Sequence, residues 1–232
     1  MAVTDSEIAT DDSFDFEALR QLELELRDGF SEHLAVRLHR SISWIGRAEA
    51  EIRKNRVDYD AAFVFYWIAF NSIYSSEQYH RGSSGEKTRF LTFFGLVVEL
   101  DRDRVIYNAI WDRFSDSIRQ LLKNRYVFQP FWDSMDSGDT EWEVRFDREN
   151  AQILKAFSDT NTRTVLCKLF DRLYVLRNQL MHGGATWNSN VNRTQVRNGT
   201  QIMQFLVPIL VKLLMQFPDH PWGKPFFPVI GD

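Results

Sequence analysis

Leu176-Arg177-Asn178-Gln179-Leu180-Met181-His182-Gly183-Gly184 gathers a guanidinium, two amides and an imidazole in a few positions. Histidine titrates near neutrality and can take or give a proton. Arginine is a permanent planar cation that grips phosphate oxygens with two bonds at once. Asparagine can orient either group. Together Arg177, Asn178 and His182 suit phosphodiester cleavage: a base for a ribose 2′-hydroxyl, an acid for the leaving oxygen, and a cation for the developing charge. The plainer alternative is that Arg177 and His182 decorate a helix C-terminus, where positive charge meets the negative end of the dipole. Spacing alone does not separate the two, since Arg27 and His33 also fit the pattern, around Gly29.

The element that must position these groups is a helix legible from Thr162 onward. Leu166, Leu169, Leu173, Leu176 and Leu180 recur at steps of three and four residues, one apolar stripe. Gly183 and Gly184 then stop it, because glycine readily takes the left-handed conformation that ends helices. Asn178 and His182 are four apart and share a face. Arg177 and His182 are five apart, roughly 140° around a regular helix. They serve one site only if the last turn loosens, if Arg177 reaches round, or if a second subunit contributes.

Arg177-Asn178-x-x-x-His182 at the end of a late helix resembles the HEPN superfamily. The run Leu176 to Thr186 is similar to bacterial members of the Apea-like kind, and Phe65 to Tyr74 resembles their earlier core helix. The likeness spans roughly Ser31 to Phe217. It implies an up-down helical core and a metal-independent endoribonuclease with Arg177, Asn178 and His182 in its active site. That site would form across a homodimer, with no cofactor and no metal. It also implies RNA as substrate and a bacterial defence, stress or toxin–antitoxin setting, with an antitoxin or defence partner. The alternative is a non-catalytic RNA- or nucleotide-binding or protein-interaction dimer of the same fold. One departure concerns regulation: some HEPN toxins carry a modifiable tyrosine two residues after the histidine, and here that position is Gly184.

Composition sets the frame. The 232 residues suit one domain, and 19 Phe, 7 Trp and 7 Tyr supply ample core. A net charge of −4 argues against coating nucleic acid by bulk charge, though not against a local basic cleft. A lone Cys167 makes no internal disulfide and, with no secretory signal, points to the cytoplasm. Cys167 itself reads as a small buried apolar residue. The longest apolar run, Ile202 to Phe217, is too short for a bilayer and is interrupted by Gln204, Pro208 and Lys212, so it reads as a core helix.

In chain order, residues 1–13 are acidic and read as disordered; 14–217 read as the helical domain, and 218–232 as a tail lying over the surface. Phe14 to Arg27 makes a first helix, and Ser31 caps the second. Asp58 or Asp60 caps a third, running to about Ser76, whose apolar residues cover nearly its whole circumference. Its Asn71 is a buried amide: either a satisfied core residue or a support orienting Arg177 or His182. His33 and His39 lack a helical metal-pair spacing. Gly82 to Thr88 only superficially resembles a phosphate loop and reads as a linker.

Lys87 to Leu100 and Asp103 to Lys123 are two further helices, the second faced by Ile106, Ile110, Phe114, Ile118 and Leu121. Tyr126 to Trp132 reads as an apolar segment interrupted by Pro130, and Asp133 to Glu143 as a solvated loop. Asp147 to Thr160 is a short helix before the motif helix. After Gly184 the stretch to Arg197 carries only basic charges, so Arg193 and Arg197 are candidate RNA-phosphate ligands. The other reading of that stretch is an ordinary polar loop. Thr194 starts the last helix, bent at Pro208. With no sustained strand alternation, the fold class is all-α, a single-domain bundle with extra helices.

Overall fold

The computed structural model describes residues 14–75 and 86–228. The acidic N-terminus and most of the Gly82 to Thr88 stretch lie outside the described residues. Those described are all-α and include ten α-helices: α1 (Phe16–Leu26), α2 (Glu32–Ile52), α3 (Tyr59–Tyr74), α4 (Glu86–Leu100), α5 (Val105–Asn108), α6 (Ser115–Leu122), α7 (Gln129–Ser137), α8 (Trp142–Ser158), α9 (Thr162–Met181) and α10 (Arg193–Gln216).

Local signals start several helices where the sequence puts them. The Ser31 hydroxyl accepts from Leu34 N–H, the Asp58 carboxylate from Ala61 N–H, and the Asn161 amide from Thr164 N–H. Pro130 does not interrupt a segment; it sits in the first turn of α7, where a missing N–H costs nothing. Residues 133–143 are accordingly not one loop: α7 runs to Ser137, Gly138 ends it at φ +70°, and α8 begins at Trp142.

The expected helix from Asp103 to Lys123 is two helices joined by a π-helical turn, Ala109–Arg113. Ile106, Ile110, Phe114 and Ile118 repeat every four residues, and on a regular helix that stripe drifts by about 40° per step. The wider turn, in which Phe114 N–H reaches Ala109 O, absorbs the drift, and all four side chains are buried.

α3 lies at the centre, as its all-round apolar surface requires. Phe70 stacks on Tyr74 at 5.0 Å and meets Phe170 of α9 at 4.5 Å, while Trp67 lies 6.0 Å from Tyr174. Rising numbers on α3 meet falling numbers in these α9 pairs, so the two helices run antiparallel. α10 packs so close to them that a Cβ on Gly199 would lie 3.0–3.2 Å from Phe63, Leu176 and Leu173. By length and hydropathy α10 could cross a membrane, but 72% of its most apolar window is buried inside the fold.

The tail does not simply lie over the surface. Trp222 is buried, and Arg37 of α2 donates to the carbonyls of Trp222 and Gly223.

α9 is fixed from its outer side by ions. Glu149 of α8 pairs with Lys168 at 2.7 Å and with Arg172 at 2.8 Å. Arg172 is only 2% exposed and lies over the Phe128 ring, and burial pulls its pKa down while Glu149 opposes the shift. Glu149→Gln removes the carboxylate paired with that buried guanidinium, and should destabilise the fold by about 3 kcal/mol in urea unfolding. Glu143→Gln, on the exposed part of α8, serves as the control and should leave the midpoint unmoved.

Candidate functional site

Arg177 and Asn178 occupy the last turn of α9, which remains regular through Met181. His182 is the C-cap, its N–H donating to Asn178 O at 3.0 Å, and Gly183 follows at φ +72°. The last turn therefore does not loosen, and the first route to bringing Arg177 and His182 together is closed. Arg177 Nη1 donates to Asn178 Oδ1 at 2.9 Å, so the amide holds the guanidinium. His182 is exposed, and among the described residues no hydrogen bond joins it to Arg177.

Arg177 instead lines a pocket of about 390 Å³ together with Asn71 of α3. Asn71 is half-buried at this pocket rather than enclosed in the core. Arg40 of α2, Arg89 of α4, Tyr174 of α9 and the tail residues Phe226 and Phe227 also line it. No motif in the sequence marks these residues. They come from four separate parts of the chain, and no local pattern marks Arg40 or Arg89 as partners of Arg177.

The candidate RNA ligands after Gly184 have a different setting. Arg193 Nη2 pairs with Asp60 Oδ2 at 2.7 Å, and the same oxygen accepts from Asn188 N–H at 3.0 Å. The Trp187 indole donates to Asp58 Oδ2 at 3.0 Å. The loop is thus pinned to the N-terminal end of α3, and Asp60 answers the Arg193 charge. Arg197 is exposed, its guanidinium 6.0 Å from the Tyr59 ring. Because α9 runs antiparallel to α3, its His182 end lies toward this loop.

The foot of the motif is tied to a neighbouring turn. Gln179 Nε2 donates to Tyr126 O at 2.6 Å, and the Trp132 indole donates to the same carbonyl at 2.9 Å. The side chains of Tyr126, Trp132 and Met181 are exposed around this junction. Among the described residues, no three His, Cys, Asp or Glu side chains converge as metal ligands would.

No family model matches the chain, and neither a curated protein nor a solved structure matches it.

Cys167, in the buried part of α9, is set apart from this chemistry. Burial pushes its thiol up to about 12, with Asp171 adding to the rise. The thiolate is the reactive form, so the folded protein should label slowly with a thiol reagent at pH 8 and stoichiometrically in guanidinium chloride. Rapid labelling of the native state would contradict this placement.

Proposed function

We propose that this chain is a metal-independent endoribonuclease of the HEPN kind. It acts as a homodimer in which Arg177 of one protomer faces His182 of the partner subunit. The observation that carries the reading is the Arg177–Asn178 pair, hydrogen-bonded at 2.9 Å on a regular helix end, with His182 exposed beyond it and unjoined to Arg177. A second protomer supplies what one helix cannot. The exposed Tyr126, Trp132 and Met181 around the same helix end offer apolar area for such an interface.

In this mechanism His182 takes the proton of a ribose 2′-hydroxyl, and the 2′-oxygen attacks the adjacent phosphorus. The bond from phosphorus to the 5′-oxygen breaks, and the leaving oxygen takes the proton that His182 removed from the 2′-hydroxyl. Arg177 holds the non-bridging oxygens as their charge grows. Asn178 fixes the guanidinium. The products are a 2′,3′-cyclic phosphate and a 5′-hydroxyl, with atoms and charge balanced.

The proposed setting is the bacterial cytoplasm, in a defence, stress or toxin–antitoxin system with an antitoxin or defence partner. A second reading, an RNA- or nucleotide-binding dimer without cleavage, is favoured by the presence of Arg177 in a pocket that His182 does not line.

The test is RNA cleavage with EDTA present. The wild type should yield 2′,3′-cyclic phosphate ends, and His182→Ala should lose at least about 10²-fold in rate. Its circular dichroism should stay unchanged, because the replaced side chain is exposed. No cleavage by the wild type, with salt-sensitive RNA binding weakened by Arg177→Ala, would replace the enzyme by the binding module.

A further inference from the structure

The outward face of α7 is apolar, aromatic and rimmed by acid. Trp132 and Met135 stand three residues apart in this helix, so they share one side of it. They are 41% and 60% exposed, and Tyr126 beside them is exposed as well. The Trp132 indole is tied to Tyr126 O, and Phe131 packs edge-on against both rings, at 5.4 Å and 5.2 Å. These large side chains are therefore held in place while open to solvent. A fixed, exposed group of Trp, Tyr and Met is what protein interfaces concentrate at their centres.

Charge says what such a face would accept. Residues 125–147 hold six Asp and Glu against two Arg, so their net charge equals that of the entire chain, −4. Of the two arginines, Arg145 is taken up by Asp139 and Glu141, and Arg125 lies over the Tyr126 ring. Phe131 meets Trp142 at 5.0 Å, which brings the start of α8 beside α7. Glu141 and Glu143 flank Trp142 there, Asp133 follows Trp132 on α7, and all three are exposed. Asp133 accepts from the neutral Gln129 amide at 2.8 Å, which leaves its charge in place. A rim of this sign repels phosphate backbones and anionic lipid faces, and it attracts basic groups.

We infer that this face docks a basic amphipathic helix of a partner protein. The apolar side of that helix covers Trp132, Met135 and Tyr126, and its Lys or Arg flanks meet Asp133, Glu141 and Glu143. The same rings offer apolar area to a second protomer. A two-fold contact sets each acidic lobe against its own copy, like against like, whereas a basic partner meets it with opposite charge. The partner is the stronger occupant. Tyr126 O also accepts from Gln179, so the face adjoins the end of α9, and a helix seated here displaces the second protomer. On the cleavage reading, on which this last step alone rests, docking dismantles the shared site and switches cleavage off.

The experiment is a fluorescence anisotropy titration of the full chain into a labelled peptide of about four helical turns, built of Leu and Lys at amphipathic spacing, beside its Leu and Glu counterpart. The Leu–Lys peptide should bind at least about tenfold more tightly than the Leu–Glu peptide, with a preference that shrinks as salt rises. Trp132→Ala should weaken it by about tenfold or more, and Asp133→Lys combined with Glu143→Lys by a similar factor. Met135→Ala should weaken it by about threefold, and it keeps the test open if Trp132→Ala fails to fold. Glu25→Lys combined with Glu32→Lys makes the same charge change on exposed acids of α1 and α2, and should bind as the wild type does. Peptide bound by a protein that never cleaves RNA sinks the enzyme reading and supports the docking face. Equal binding of the two peptides, binding that none of the α7 and α8 changes alters, or a wild-type dimer that excludes the peptide and that Trp132→Ala splits, overturns the inference.

Discussion

Arg37 is the tie on which the arrangement around the pocket depends. The residue is 1% exposed, and a charge so placed persists only if its donors are met. It meets them with main-chain carbonyls from two directions: Ser72 and Ile73 at the end of α3, and Trp222 and Gly223 in the tail. The last carbonyls of a helix lack partners within it and carry the negative end of its dipole. One side chain of α2 therefore answers the unpaired end of the central helix and anchors the returning chain. Arg40, one turn further along α2, takes Phe227 O in the same way. The tail becomes a wall of the pocket because these two residues hold it there.

A second constraint sets what the motif can do. α9 is braced by Glu149 on Lys168 and Arg172, and its opposite side is packed into the aromatic centre around Phe70. A helix held so firmly keeps its turn geometry to the end, and His182 closes it with an ordinary backbone hydrogen bond to Asn178. Rigidity is what separates Arg177 from His182 in one protomer. The same rigidity would present both groups in fixed positions to a second copy, which is the physical reason for placing the proposed site across an interface.

Much of the fold was legible because its signals are local. Ser31 and Asp58 act as the caps their positions suggest, α3 is central because no face of it is polar, and Gly183 ends α9 in the left-handed region. The stripe from Ile106 to Ile118 marks an apolar helix face, but its strict four-residue step conceals the π turn that divides the helix. The candidate site was half legible. Arg177, Asn178 and Asn71 do gather, while the partnership of Arg193 with Asp60 joins residues far apart in sequence. Arg40, Arg89 and Phe227 were invisible for the same reason: each is unremarkable locally, and only the tertiary path of α2, α4 and the tail brings them to Arg177.

The most direct test of a shared site is complementation between two inactive chains. Arg177→Ala and His182→Ala proteins would be unfolded together, refolded as a mixture, and assayed for RNA cleavage in EDTA beside each variant alone. In a mixed dimer one of the two shared sites carries both changes and the other carries neither. With a shared site the mixture regains a substantial fraction of wild-type activity while each variant alone stays inactive. A mixture as inactive as its components, under conditions where mixed dimers are shown to form, would contradict it.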